Sequence, residues 1–330
     1  MEAIRLPPNQ PPRFYRGGAA IADFRGVAAT RDDVPEDWVA STTSLAGDDE
    51  QGLTRLPDGR LLRAAIAAEP EGFLGPEHVR RYGAQPELLV KLLHAGERLP
   101  VHAHPPRAWA ASHLGCPWGK TEAWVVVGGP GTVHLGFTRD VDPEELAVWV
   151  ERQDAAAMLG ALHALAVSEG DAVLVPAGLP HAIGPGLLVV ELQEPTDLSV
   201  LLEWTGFDVD GERDGHLGVG FDEALTAVDR SGFGREIVAE LRRRRGEERA
   251  TLTLPPEADG FFRCERIAPR PSAPLDAGFA VLVGIADAIQ VELAGGSFEV
   301  RRGETWLVPY AAGGGVARGG GELLRCRPPG

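Results

Sequence analysis

The sequence predicts a mostly β protein: two jelly-roll β-barrels with inserted and connecting helices. Three observations lead there. Short apolar runs recur along the chain with turn residues between them, the pattern of barrels and jelly rolls. The 330 residues include 42 glycines and 27 prolines, well above average usage. With 44% hydrophobic residues and a mean hydropathy of −0.09, that excess means tight turns in a folded chain. The third observation is an internal echo. Gly170–Pro176 reads GDAVLVP and Gly303–Pro309 reads GETWLVP. Each is a turn glycine, a strand and a terminating proline, which predicts a duplicated barrel unit. The first copy runs on to His181, and the second has Gly314 at the corresponding place. One barrel is therefore expected to keep a ligand that the other lacks.

The expected division is a metal-binding barrel over 1–210 with a helical insertion at about 140–168, a helical connector over 211–248, and a second barrel without metal ligands over 249–330. The first fifteen residues are proline-rich and are expected to lie loose or wrapped on the surface. Phe24 to Ala68 reads as short strands, with Asp58-Gly59 as a hairpin turn. Pro76 to Tyr82 is a short helix with proline in its first turn. Glu87 to His94 is an apolar run of strand length. Trp124–Gly128 and Val133–Phe137 are strands around a Gly-Gly-Pro-Gly turn. Asp142 to Leu165 reads as helix, capped by Asp142, with Pro143 first and Glu144 and Glu145 suited to its N-terminal dipole. Strands return at Ala172–Val175, Leu187–Leu192 and Leu198–Trp204. Phe221 to Arg245 reads as helix with a break near Gly232, and Arg242–Arg245 closes it with cations. From Ala250 onward short strands and turns resume.

Composition excludes several functions. A net charge of −16 and a pI near 5.0 repel nucleic acid and anionic membrane surfaces, so neither partner is expected. No apolar stretch is long enough for a membrane span. The start, MEAIRLPPNQ, has no apolar signal core. Cys116, Cys264 and Cys326 are too few and too scattered for a disulfide framework. A cytoplasmic protein is expected.

Three segments carry chemistry: GERLPVHAHP (Gly96–Pro105), GKTE (Gly119–Glu122) and GDAVLVPAGLPH (Gly170–His181). On a strand, residues i and i+2 share a face, so His102 and His104 point into one space and Ala103 faces away. Lys120 likewise shares the face of Glu122. Two imidazoles, a carboxylate and a third imidazole from neighbouring strands can close around one divalent metal. Nitrogen and oxygen donors suit zinc, manganese, iron, cobalt or nickel. Taken singly, His-x-His is common, and His181 could simply close a turn.

Together the segments resemble the cupin superfamily. Its first motif, G-x5-H-x-H followed by E-x6-G, is matched by Gly96, His102, His104, Glu122 and Gly129. Its second, G-x5-P-x-G-x2-H, is matched by Gly170, Pro176, Gly178 and His181. The insertion between His104 and Glu122 is similar to that of the class I mannose-6-phosphate isomerases. There Q-V-H-P, G-K-T-E and P-A-G-x-x-H-A-I segments correspond to VHAHP, GKTE and PAGLPHAI here. EDWVAS (Glu36–Ser41), PELLVKLL (Pro86–Leu93) and ELQEPTDLSVLLEW (Glu191–Trp204) extend the resemblance over most of the chain.

The resemblance implies one divalent metal, zinc first, held by His102 (where the family has Gln), His104, Glu122 and His181. It implies an aldose–ketose isomerase that interconverts mannose 6-phosphate and fructose 6-phosphate through an enediol. Lys120 would be catalytic and substrate-binding, and Glu191 and Asp197 would be candidates for proton transfer or orientation. Two departures bear on the substrate. The family arginine of the Y-R-V-Y-D-W strand falls at Leu201, and leucine cannot replace a phosphate-binding guanidinium. The family's acidic pair after the metal motif is Pro106-Arg107, and Arg107 is either a returned pocket charge or a surface arginine. An isomerase of unphosphorylated sugars, or a non-catalytic sugar-binding cupin, therefore stays as the alternative.

Overall fold

The computed structural model describes residues 1–29, 31–247 and 251–330. Its strands form four antiparallel sheets. A six-stranded sheet runs in the order Arg242–Arg243, Ala172–Val175, Glu122–Gly128, Leu188–Gln193, Leu89–His94, Glu36–Val39. It faces a five-stranded sheet ordered Val200–Leu201, His102–Ala103, His181–Ile183, Gly131–Phe137, Leu162–Val167. Between them lies the first barrel core, with Leu93, Trp124, Val126 and Val189 from one side and Val133, Leu135 and Ile183 from the other.

The second barrel is built the same way. Ile4–Leu6, Thr305–Val308, Ala280–Ala286, Glu322–Arg327 and Arg263–Ile267 form one sheet. Ser272–Leu275, Gly315–Gly319, Ala288–Leu293 and Gly296–Arg301 form the other. Leu282, Ile289, Val291, Val300 and Leu323 fill the space between them. Both strands of the GDAVLVP/GETWLVP echo are present, one in each barrel, as expected of a duplicated unit.

The two barrels share a third core. The back of the six-stranded sheet (Val90, Leu92, Val125, Leu174, Val190, Leu192) packs with Val281, Val283, Leu307 and Leu324 of the second barrel. This explains why the strand Leu89–His94 is apolar apart from Lys91 and His94. Its alternate residues face a barrel interior on one side and another sheet on the other, so nearly every position is buried. Each fully buried leucine or valine contributes roughly 1.5–3 kcal/mol. Helices Ala19–Arg25, Leu62–Ala68 and Pro70–Leu74 close the edge of this shared core.

Several elements differ from expectation. The proline-rich start is not loose: Ile4–Leu6 pairs with Thr305–Leu307 in the second barrel. The turn at Asp58-Gly59 forms, with Arg55 bridged to Leu61, but a helix follows it. The helix expected over Asp142 to Leu165 is two helices, Pro143–Arg152 and Ala155–Ala161, and Leu162–Val167 then pairs with Gly131–Phe137. Asp142 does cap the first, accepting from Glu144 N–H. Of Leu198–Trp204, only Val200–Leu201 is strand. Phe221 to Arg245 holds short helical turns at Phe221–Ala224 and Arg235–Glu240, and Arg242–Arg243 is an edge strand. The expected junction at 248/249 and the resumption of strands at Ala250 lie outside the described residues.

Candidate metal centre

His102 and His181 sit directly opposite each other on neighbouring strands. Glu122 opens a strand of the facing sheet. His104 follows the strand His102–Ala103, and its carbonyl accepts the Gly178 N–H at 2.6 Å. Gly178 has φ +92°, a left-handed conformation that glycine adopts without strain. This bond ties the two histidine-bearing segments together. The GKTE segment is held close as well: a Cβ on Gly119 would meet the Pro105 carbonyl at 2.6 Å. As the strand period requires, Ala103 is fully buried behind the site.

The ring contacts share one logic. Each imidazole has Nδ1 against a backbone carbonyl: His102 on Pro100, His104 on Leu198 and His181 on Leu179, all at 2.8 Å. A carbonyl only accepts, so each Nδ1 carries the proton and each Nε2 carries a lone pair. One ring nitrogen from each histidine lies within 4.8 Å of the others. Burial, then the like charges of His181 and His104, hold His102 well below the usual imidazole range. Burial and the Lys120 ammonium push His104 down to about 3. Both shifts favour neutral His102 and His104 rings, the form that binds metal.

Glu122 completes the cluster. Burial alone would raise its pKa, but Lys120 and His104 outweigh it and hold the carboxyl well below its usual range. Its Oε2 lies 3.0 Å from His104 Nε2, and its Oε1 lies 3.3 Å from His181 Nε2. The His181 nitrogen is buried and makes no hydrogen bond. Lone pairs facing lone pairs at these distances repel unless a cation lies among them. Here the Lys120 ammonium contributes one positive charge, 2.6 Å from Glu122 and 2.7 Å from His104. Three imidazoles and one carboxylate, with the His181 Nε2 left without a hydrogen bond, fit a divalent ion of the zinc type.

His102, Glu122 and Lys120 line a cleft; His104 and His181 stand outside its lining. Glu191 lines it and sits opposite Lys91 and Trp124 in the six-stranded sheet. Burial, then the Glu122 charge, push Glu191 up to about 6, against the pull of Lys91. Its buried Oε1 makes no hydrogen bond, although Lys91 Nζ is 3.5 Å away. Asp197 lines the same cleft, gripped end-on by Arg13 at 3.1 and 3.2 Å. Leu201 forms part of the wall, opposite His102 in the sheet. Arg107 stands outside the lining, paired with Glu194 and lying over Phe261.

Three charged residues of the cleft escaped the sequence reading: Glu36, Lys91 and Arg13. Lys91 is 2% exposed and bridges Glu36 and Glu191 at 3.4 and 3.5 Å, with Trp38 beneath it. A lysine inside LLVKLL was its available signal. Glu36 also accepts from Tyr15 and Trp38. Arg13 had no signal, since it lies in a segment expected to be loose or wrapped on the surface.

Fold and site define a class: a double-barrelled, cupin-type protein with a buried cluster of three histidines and one carboxylate. Within that class the chain resembles the mannose-6-phosphate isomerases. It is 32% identical over 149 residues to mannose-6-phosphate isomerase ManA of Bacillus subtilis, covering 43% of this chain and 46% of that protein. It is 34% identical over 111 residues to the mannose-6-phosphate isomerase of Streptococcus mutans, covering 33% of this chain and 34% of that one. The matched region thus spans less than half of either relative. The fold agrees over the whole length. The crystal structure of the Bacillus subtilis mannose 6-phosphate isomerase superposes with a TM-score of 0.75 at 20% identity, covering 99% of this chain and 100% of that one. The apo enzyme of Salmonella typhimurium gives 0.75 at 15% identity, with both chains fully covered. No family model matches the chain.

Proposed function

We propose that the protein is a metal-dependent aldose–ketose isomerase that interconverts mannose 6-phosphate and fructose 6-phosphate. The convergence of His102, His104 and His181 on Glu122, with Glu191 in the same cleft, carries this reading. The names of the relatives support the substrate. His102, His104, Glu122 and His181 would hold one divalent metal, zinc first, which polarises sugar oxygens and stabilises negative charge developing on them.

The chain's own groups would do the proton work. Isomerisation removes the proton on C2 of the aldose, forms the C1–C2 enediol and returns a proton to C1. A group that gives and takes a proton near neutral pH suits this task, and Glu191, pushed up to about 6, has an oxygen free to do it. Lys120 would hold the enediolate oxygen with its ammonium. Asp197 would orient the sugar hydroxyls from the outer wall. Leu93, Leu99 and Ile183 give the cleft an apolar lining that would exclude water.

A coupled assay on metal-quantified protein tests the proposal, comparing fructose 6-phosphate with free fructose and mannose. The expected result is turnover of the phosphate ester, with His104→Ala losing both bound metal and turnover. Turnover of free sugars alone would move the specificity to unphosphorylated substrates. Stoichiometric metal without turnover of either would make the protein a sugar-binding cupin.

A further inference from the structure

The substrate proposed above carries a dianion at the end remote from its reacting carbons, and the cleft wall where an arginine would be expected holds Leu201. The cations that line the cleft are Arg13, Lys91 and Lys120. Lys120 is engaged by Glu122 and His104. Lys91 is enclosed between Glu36 and Glu191 and under Trp38. Arg13 is different. A guanidinium has two bidentate edges. Asp197 takes only the Nη1–Nη2 edge. The Nε of Arg13 is buried and makes no hydrogen bond. The nearest carboxylate oxygen, Glu36 Oε1, is 3.6 Å from it and is already the acceptor of the Tyr15 hydroxyl.

Its position matches the need. Arg13, Phe14, Asp197, Ser199 and Leu201 line both the inner cleft and an outer one that opens past Ala46 and Asp208. His102, Lys120, Glu122 and Glu191 line the inner cleft and not the outer one. A sugar with C1 and C2 at the histidine cluster directs its far end to the shared wall. The segment that bears Arg13 is fixed there. Asn9 is hydrogen-bonded to Asp37, Trp38 and Gly52, Arg13 N–H donates to the Asp33 carbonyl, and Asp208 N–H donates to the Phe14 carbonyl.

We propose that Arg13 receives the phosphate monoester end of the substrate on its Nε edge while Asp197 keeps the other edge. The cation that Leu201 cannot supply thus comes from the N-terminal segment. This assignment rests on the isomerase reading for its substrate, but not for its binding chemistry.

The test uses the full-length, metal-loaded protein with fructose 6-phosphate, free fructose and inorganic phosphate. Arg13→Ala should raise KM for fructose 6-phosphate roughly ten- to hundredfold, the loss of a charge-assisted pair. It should also abolish competitive inhibition by inorganic phosphate, leave metal content unchanged and weaken the ester far more than free fructose. Arg13→Lys keeps the charge opposite Asp197 and Glu36 but loses the fork. It carries the test if Arg13→Ala does not fold, and an intermediate KM is expected. An unchanged KM for the ester, or equal losses on ester and free sugar, would overturn the proposal. Calorimetric binding of fructose 6-phosphate separates the two readings. Binding that depends on Arg13 in a protein without turnover would sustain the anion site and sink the isomerase. Turnover with no Arg13 dependence would do the reverse.

Discussion

Glu191 is the residue whose surroundings most directly set a pH dependence. Its carboxyl is held up to about 6 by burial and by Glu122, so it keeps its proton well past the ordinary carboxyl value and loses it on approach to neutrality. In its proposed role as a base in the ionised form, it should give kcat/KM an ascending limb near pH 6. Glu191→Gln should remove that limb and lower kcat roughly 10²–10⁴-fold, with metal content unchanged. A limb that persists in the variant would belong to another group. The residue scale is also where the sequence was most informative. His102, His104, Glu122, His181 and Lys120 stand at fixed short spacings that a strand converts into one face. Arg13 and Asp197 were illegible as a pair, because nothing in a proline-rich run announces a partner so distant in the chain. Arg107 was visible as a charge beside the motif, but Glu194 holds it outside the cleft.

Among the elements, the strands with two buried faces were easiest to see. Ala172–Val175 is apolar throughout, and Leu89–His94 is apolar apart from Lys91 and His94, because each lies between a barrel interior and a second layer. Elements fixed by their partners were the ones misread. Leu162–Val167 is LHALAV, good helix composition, yet its inner residues alternate between half-buried and exposed beside Gly131–Phe137, and pairing overrides propensity there. Arg242–Arg243 is a strand only because Ala172 and Val173 offer it an edge. The shared core between the barrels has a measurable consequence. Leu92 is fully buried within it, and Leu92→Ala should destabilise the protein by about 2–5 kcal/mol in a denaturant titration. The candidate metal site lies on the other face of the sheet, so any metal bound by the parent protein should be retained in the variant. A change below about 0.5 kcal/mol, the size of an ordinary surface substitution, would show that the two barrels do not depend on that contact.

At the scale of the molecule, both barrels are tied by carboxylates held in the charged form. Burial would raise Glu36, but Arg13 and Lys91 overcome it and bring it down to about 2. In the second barrel, Asp276 is likewise brought down to about 2 by hydrogen bonds from Arg327 and Arg325. The folded values lie below the unfolded ones, so each carboxylate contributes stability above its ordinary pKa and loses it as pH falls toward 2. Acid unfolding should therefore occur between about pH 4 and pH 2, and the common core should make it one transition. Glu36→Gln should reduce the pH dependence in that range, while two separated transitions would mean that the barrels unfold independently. The pairing of Ile4–Leu6 with Thr305–Leu307 also bears on how the molecule is made. The first strand leaves the ribosome when its partner is still almost an entire chain away, and contacts so distant in sequence form late. The outer end of the segment carrying Arg13 therefore has nothing to pair with until Thr305–Leu307 has been made. A nascent chain can assemble the histidine cluster first and gain the fully anchored wall of its cleft only once the second barrel follows.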